Sequence, residues 1–214
     1  MDVERVLDGW KKKPKVLALH AHAMEGVFTD LREVAEAAGV DHLPLEEKYR
    51  ARIERVKKKT RGVKKRKVFC IEWFEPVYGS GHWVPEMVEM AGGRDRIAKK
   101  GKNSTRVSWP RIVKSRPEKL ILMPCGFTMA RARRELPVLT CRPEWAQLPA
   151  VQAGEVYLTD GPSYFNGGGL RLVDGLEILS EIIHPEIFPR KHRRGYARLG
   201  ETNGRKKVVR GQRV

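Results

Sequence analysis

Residues 68–91 read VFCIEWFEPVYGSGHWVPEMVEMA. Val68 to Trp73 has the length and apolar content of a buried strand, Trp83 to Ala91 carries a helical pattern, and Gly79 and Gly81 punctuate the stretch between them. The unit is strand, loop, helix, and the rest of the chain repeats it. Leu120 to Met123, Pro137 to Thr140 and Glu155 to Thr159 also read as buried strands. Each precedes a helical pattern, at Thr128 to Glu135, Pro143 to Gln147 and Leu170 to Ile183. Strand alternating with helix predicts an α/β fold around a parallel sheet. A further helix, Trp109 to Ser115, precedes the second strand, with Ser108 placed to cap it and Pro110 in its first turn, where a missing N–H costs little.

Upstream, Lys15 to Leu19 is a short strand candidate. Met24 to Ala38 sets Val27, Leu31, Val34, Ala35 and Ala38 at helical spacing, with Gly39 as the stop. Leu45 to Lys59 is predicted as a second helix, because Tyr49, Ile53 and Val56 form one stripe while Glu46, Glu47, Arg50 and Arg52 occupy the others.

The 214 residues leave room for one full domain with extensions. No window approaches the roughly 18 consecutive apolar residues of a membrane span. Met1 to Lys15 is charged where a secretory signal would be apolar, so a soluble chain, cytoplasmic or else organellar or nuclear, is the default expectation. Cys70, Cys125 and Cys141 form no CxxC, which excludes a disulfide framework, and the histidines make no H-x(3–5)-H pair of the kind a zinc site uses. The formal net charge is +17, yet the basic residues concentrate in 11–15, 55–67, 94–106 and 190–214, and the remainder is net acidic. Positive charge therefore belongs to linkers and to a tail, 190–214, whose few large apolar side chains predict disorder.

In an open parallel α/β sheet, ligands collect at the carboxyl ends of the strands. Here those positions are unusually aromatic. The first strand runs through Glu72 and Trp73 into Ser80, His82 and Trp83; the second into Cys125 and Phe127; the last into Asp160, Tyr164, Phe165 and Asn166. Flat apolar surfaces with a few polar groups suit a large planar ligand whose periphery needs hydrogen bonds. Core packing is the competing reading for Trp73 and Trp83. His82, between Gly81 and Trp83, is the one candidate metal donor, by an imidazole nitrogen.

The same residues carry a family likeness. Ile71-Glu72-Trp73, Gly81-His82-Trp83-Val84-Pro85-Glu86, Leu122-Met123-Pro124-Cys125-Gly126-Phe127 and Tyr164-Phe165-Asn166, followed by Arg171 to Leu179, resemble the carboxyl lobe of cobalamin-binding proteins. That family belongs to the helical-backbone class of periplasmic substrate-binding proteins, which serve ABC transporters for corrinoids, haem and iron chelates. The resemblance covers about residues 15–189. It implies two α/β lobes joined by one long helix, with the ligand between them. On that template 1–44 is a remnant of the amino lobe, 45–61 the inter-lobe helix, 62–189 the carboxyl lobe and 190–214 a basic tail. The amino lobe is expected to be largely missing, which implies weak binding unless another chain supplies the second wall. The implied role is non-catalytic binding of cobalamin or a related tetrapyrrole or iron chelate, with no intrinsic cofactor and with a transporter permease as partner. Trp73, Trp83, Phe127, Tyr164 and Phe165 would stack on the ligand, Ser80, His82 and Asn166 would make polar contacts, and Cys125 would pack or touch it.

Other readings of the residues stay open. Lys64 to Lys67 and Arg190 to Arg194 are patches able to neutralise phosphates with salt-dependent affinity, which would make the chain an intracellular interaction or nucleic-acid-binding protein. Cys125, set before a helix start that would activate its thiol, is a candidate nucleophile with His82 as its base, and Glu72 and Asp160 a candidate acid and base pair. Gly167 to Gly169 lacks both the GxGxxG pattern and a P-loop lysine, so it is a weak phosphate signal.

Overall fold

The computed structural model describes residues 3–200. Its elements are α1 (Val3–Val6), α2 (Met24–Ala38), α3 (Leu43–Thr60), β1 (Arg66–Trp73), β2 (Tyr78–Gly79), α4 (Val84–Met90), β3 (Gly93–Arg94), β4 (Thr105–Arg106) and α5 (Trp109–Ser115). There follow β5 (Lys119–Leu122), α6 (Met129–Glu135), α7 (Pro137–Thr140), a 3-10 turn (Trp145–Gln147), α8 (Pro149–Gln152), β6 (Val156–Thr159), α9 (Gly161–Tyr164), α10 (Leu172–Ile183) and β7 (Tyr196–Arg198).

β1, β5 and β6 are parallel, pairing Val68 with Lys119 through Ile71 with Leu122, and Leu120 with Val156 through Leu122 with Leu158. The outer strands are antiparallel: β2 and then β4 lie beyond β1, and β7 lies beyond β6. β3 runs parallel to the first residues of β1. Alternation along the central strands sorts the core into two layers. Val68, Cys70, Ile121, Met123 and Tyr157 pack with α2, α3, α4 and α10, while Phe69, Ile71, Leu120, Leu122, Val156 and Leu158 pack with α5 to α8. Burial on both faces is why these strands read as nearly unbroken apolar runs.

The 18 residues of α3 make a rod about 27 Å long. Ile53 and Val56 bury its inner stripe. Arg52 donates to Asp174 at 2.5 Å and to both carboxylate oxygens of Glu177 at 3.0 and 2.8 Å, a forked contact that fixes α3 on α10. Near its start, Glu46 accepts from Arg32 of α2 at 2.8 and 3.0 Å and from Arg50 at 2.7 Å. Arg32 first and Arg50 second hold its carboxyl down to about 2.

Three expectations are corrected. Pro137 to Thr140 is helix α7 and not a strand, because both edges of β5 are already taken by β1 and β6, and Pro137 sits comfortably in a first helical turn. Lys15 to Leu19 joins no ladder among the described residues, and Val16 and Leu19 are about half exposed. The tail expected from residue 190 instead folds back as β7, with Tyr196 opposite Thr159 and buried, and Arg198 bonded to the carbonyl of Gly154 and the carboxylate of Glu155. An edge strand tolerates such charge because one side faces solvent. The rest of that tail, 201–214, lies outside the described residues.

Candidate functional site

Parallel pairing of β1, β5 and β6 brings the loops after all three strands to one rim. Trp73 ends β1 and keeps 38% of its surface exposed. Its indole N–H donates to the Glu75 carbonyl at 2.9 Å, and its ring meets the edge of Phe127 at 5.2 Å. Beside it lies an open depression of about 270 Å³ lined by Glu72, Trp73, Tyr78, Ser104 and Cys125. Its polar corner is the Ser104 hydroxyl donating to Glu72 at 2.7 Å. Tyr78 belongs to the short β2–β4 pairing, and Ser104 stands directly before β4.

The predicted aromatic set divides. Trp83, Phe127 and Phe165 are 9%, 5% and 2% exposed, so they lie beneath the rim in the core. Trp83 donates its indole N–H to the Phe165 carbonyl at 2.8 Å, and a Cβ at Gly168 would sit 3.3 Å from its ring, so the glycine loop covers it. Ser80 is also buried, with its hydroxyl oxygen unpartnered. Tyr164 and Asn166 remain partly exposed. Arg171 lies 4.7 Å above the Tyr164 ring, a cation–π contact, and the Asn166 amide reaches the Met123 carbonyl at 3.4 Å while its own oxygen is buried without a partner. His82 is partly exposed and stacks on His22, a residue the sequence reading did not single out.

Burial, and then the charge of Glu72, push the Cys125 thiol above its ordinary value, against the activated thiolate expected from its position. His82 is not among the residues that line the Cys125 depression. Asp160 caps α9 by accepting from the Ser163 N–H at 3.1 Å, and Glu72 is committed to Ser104. Asp174, Glu177 and His192 have ligand atoms within 4.8 Å of one another, but Arg52 already supplies a cation to both carboxylates.

Seen beside known proteins, the architecture has clear counterparts. An ABC transporter substrate-binding protein from Listeria monocytogenes superposes with a TM-score of 0.73 at 14% identity, over 86% of this chain and 72% of that one. A periplasmic haem-binding protein from Pseudomonas aeruginosa gives 0.71 at 20% identity over 88% and 70%. A periplasmic vitamin B12-binding protein from Vibrio cholerae gives 0.63 at 15% identity over 86% and 68%. Across such solved chains this one spans between 57% and 72% of their length. No curated protein matches it in sequence. Among the described residues no helix is long and apolar enough to cross a membrane. A sequence model described as periplasmic binding protein matches residues 10–162, and the chain belongs to that family.

Proposed function

We propose that this chain is a non-catalytic binding component that takes a corrinoid, or a related tetrapyrrole or iron chelate, at the carboxyl rim of its sheet and presents it to an ABC transporter permease. The observation that carries this reading is the depression beside Trp73: an exposed indole and Tyr78 offer flat surface, and Glu72 with Ser104 offers a polar edge. Two of the similar structures are named for haem and vitamin B12, both flat metal-bearing macrocycles, which supports the cargo class. The raised Cys125 thiol and the committed Glu72 and Asp160 support a binder over an enzyme. Membership of a periplasmic family supports a periplasmic site of action over the cytoplasmic default. A depression of about 270 Å³ covers only part of one face of such a cargo, so the affinity of these residues alone is expected to be modest.

The test is a titration with cyanocobalamin and, separately, haemin, following the visible band and tryptophan quenching in low and high salt. Saturable binding that survives high salt supports the reading. Binding that disappears with salt, or none up to millimolar ligand, overturns it and shifts weight to the basic segments.

A further inference from the structure

A small cavity of about 90 Å³ opens between α3, α10 and the segment that follows α10. It lies toward the amino ends of the strands, away from the rim. His184, just past α10, donates from Nε2 to the Gly92 carbonyl at 3.1 Å, and that carbonyl also accepts from the N–H of Arg66, the first residue of β1, at 3.2 Å. Phe188 closes one side of the cavity, its N–H donating to the His184 carbonyl at 2.9 Å. We propose that this cavity binds a phosphate monoester, with the phosphate held by Arg55, Lys59 and Lys191 and the organic stem laid against Val56, Phe188 and Pro189.

Three cations and two carboxylates line the cavity, and the carboxylates are already paired. Glu177 accepts from Arg52 at 3.0 and 2.8 Å. Glu181 lies 2.7 Å from His192 Nδ1 and accepts from the His192 N–H at 3.3 Å. Among the described residues Arg55 and Lys191 make no side-chain hydrogen bond or ion pair, and Lys59 rests over the Phe188 ring, 5.2 Å from its centroid. Like charges around one small space repel until an anion enters. Two ammonium groups and a guanidinium match the oxygens of a phosphate, and its second negative charge offsets them better than a carboxylate does.

The contacts that occupy the acids also fix the walls. The Arg52 fork holds α3 on α10, and His192 holds the following segment on Glu181, so the three cations are presented from prearranged elements. Val56 is buried and Phe188 half-buried, which leaves apolar surface at the floor for a stem. The volume is several times the roughly 10–15 Å³ that one water needs, yet too small for a macrocycle.

This inference uses none of the rim residues, so it stands or falls separately from the proposed function. The experiment is a calorimetric titration of the full chain with butyl phosphate, and in separate arms with inorganic phosphate, butyrate and butanol. The variants are Lys59→Gln, Lys191→Gln, Phe188→Ala and Arg133→Gln, and circular dichroism checks the fold of each. Lys59 and Lys191 are exposed, so their exchange leaves the core in place. Arg133 belongs to α6, on the other face of the sheet, and serves as the control for loss of one positive charge. Butyl phosphate is expected to fill one site per chain more tightly than any of the other three ligands. Binding should weaken about tenfold or more in Lys59→Gln and in Lys191→Gln and stay unchanged in Arg133→Gln. Phe188→Ala should remove the preference for butyl phosphate over inorganic phosphate. No binding of butyl phosphate by the parent, equal weakening in Arg133→Gln, or butyrate or inorganic phosphate binding as tightly as butyl phosphate overturns the site.

Discussion

The indole N–H of Trp83 donates to the Phe165 carbonyl at 2.8 Å, joining the start of α4 to the end of α9. Both side chains are buried, so this bond fixes the shape of the rim and leaves its surface to Trp73, Tyr164 and Asn166. Trp83→Phe keeps an aromatic ring and strands the carbonyl without a donor. It is expected to destabilise the chain by about 1–3 kcal/mol, read from urea denaturation; an unchanged midpoint would show that the bond contributes nothing.

Gly175 is where α10 comes closest to the same loop. A Cβ there would lie 2.4 Å from the Tyr164 carbonyl oxygen and 3.1 Å from both Met87 and Phe165. Backbone cannot move aside cheaply, so Gly175→Ala is expected to cost about 1–3 kcal/mol or more. Gly169→Ala, which meets nothing within 4 Å, serves as the control and should stay close to the parent. Equal thermal midpoints for the two variants would contradict this packing.

Much of the fold was legible because its signal is local. The stripe of α2, the apolar runs of β1, β5 and β6 and the proline-started α5 each follow from a few neighbouring residues. Pro137 to Thr140 was not legible, because its exclusion from the sheet depends on β6 occupying the edge of β5. β7 hides in a charge-rich stretch for a similar reason: its pairing with β6 is made far along the chain. At the rim, Trp73 and Cys125 follow from their places just after strands. The burial of Trp83 and Phe165 depends on the layer built by α2, α3, α4 and α10, which no local pattern reports. Tyr78 lies in one two-residue strand and Ser104 directly before another, both too short to leave a periodic signal.

His192 is a pH-sensitive contact of the carboxyl-terminal segment. Its Nδ1 lies 2.7 Å from the buried Glu181, and its Nε2 3.6 Å from Glu177. The bond to Glu181, opposed by burial and aided by the charges of Glu177 and Asp174, raises its value above the usual 6.5. The folded chain thus binds this proton more tightly than the unfolded one. The stabilisation is complete below about pH 6.5 and is lost as pH rises through the folded value. The urea midpoint is expected to fall over that window, and His192→Gln should remove this part of the slope. The same slope in both proteins would contradict the assignment.

Glu46 acts in the opposite direction. Its carboxyl is held down to about 2 from an ordinary 4.5 by Arg32 and then Arg50. The contribution is present above about pH 4.5 and disappears as pH falls toward 2. Glu46→Gln should therefore weaken the junction of α2 with α3 at pH 7 and flatten the acid limb of the stability curve. An acid limb identical to the parent's would exclude Glu46 as its source.

The central claim, that cargo is held at the rim beside Trp73, is tested most directly by calorimetric titration of haemin into the parent and into Trp73→Ala. Trp73 is 38% exposed, so its removal leaves the core layers in place. The account predicts saturable binding by the parent and a dissociation constant at least about tenfold weaker in the variant, equivalent to about 1.4 kcal/mol. Equal affinity in the two proteins would contradict it.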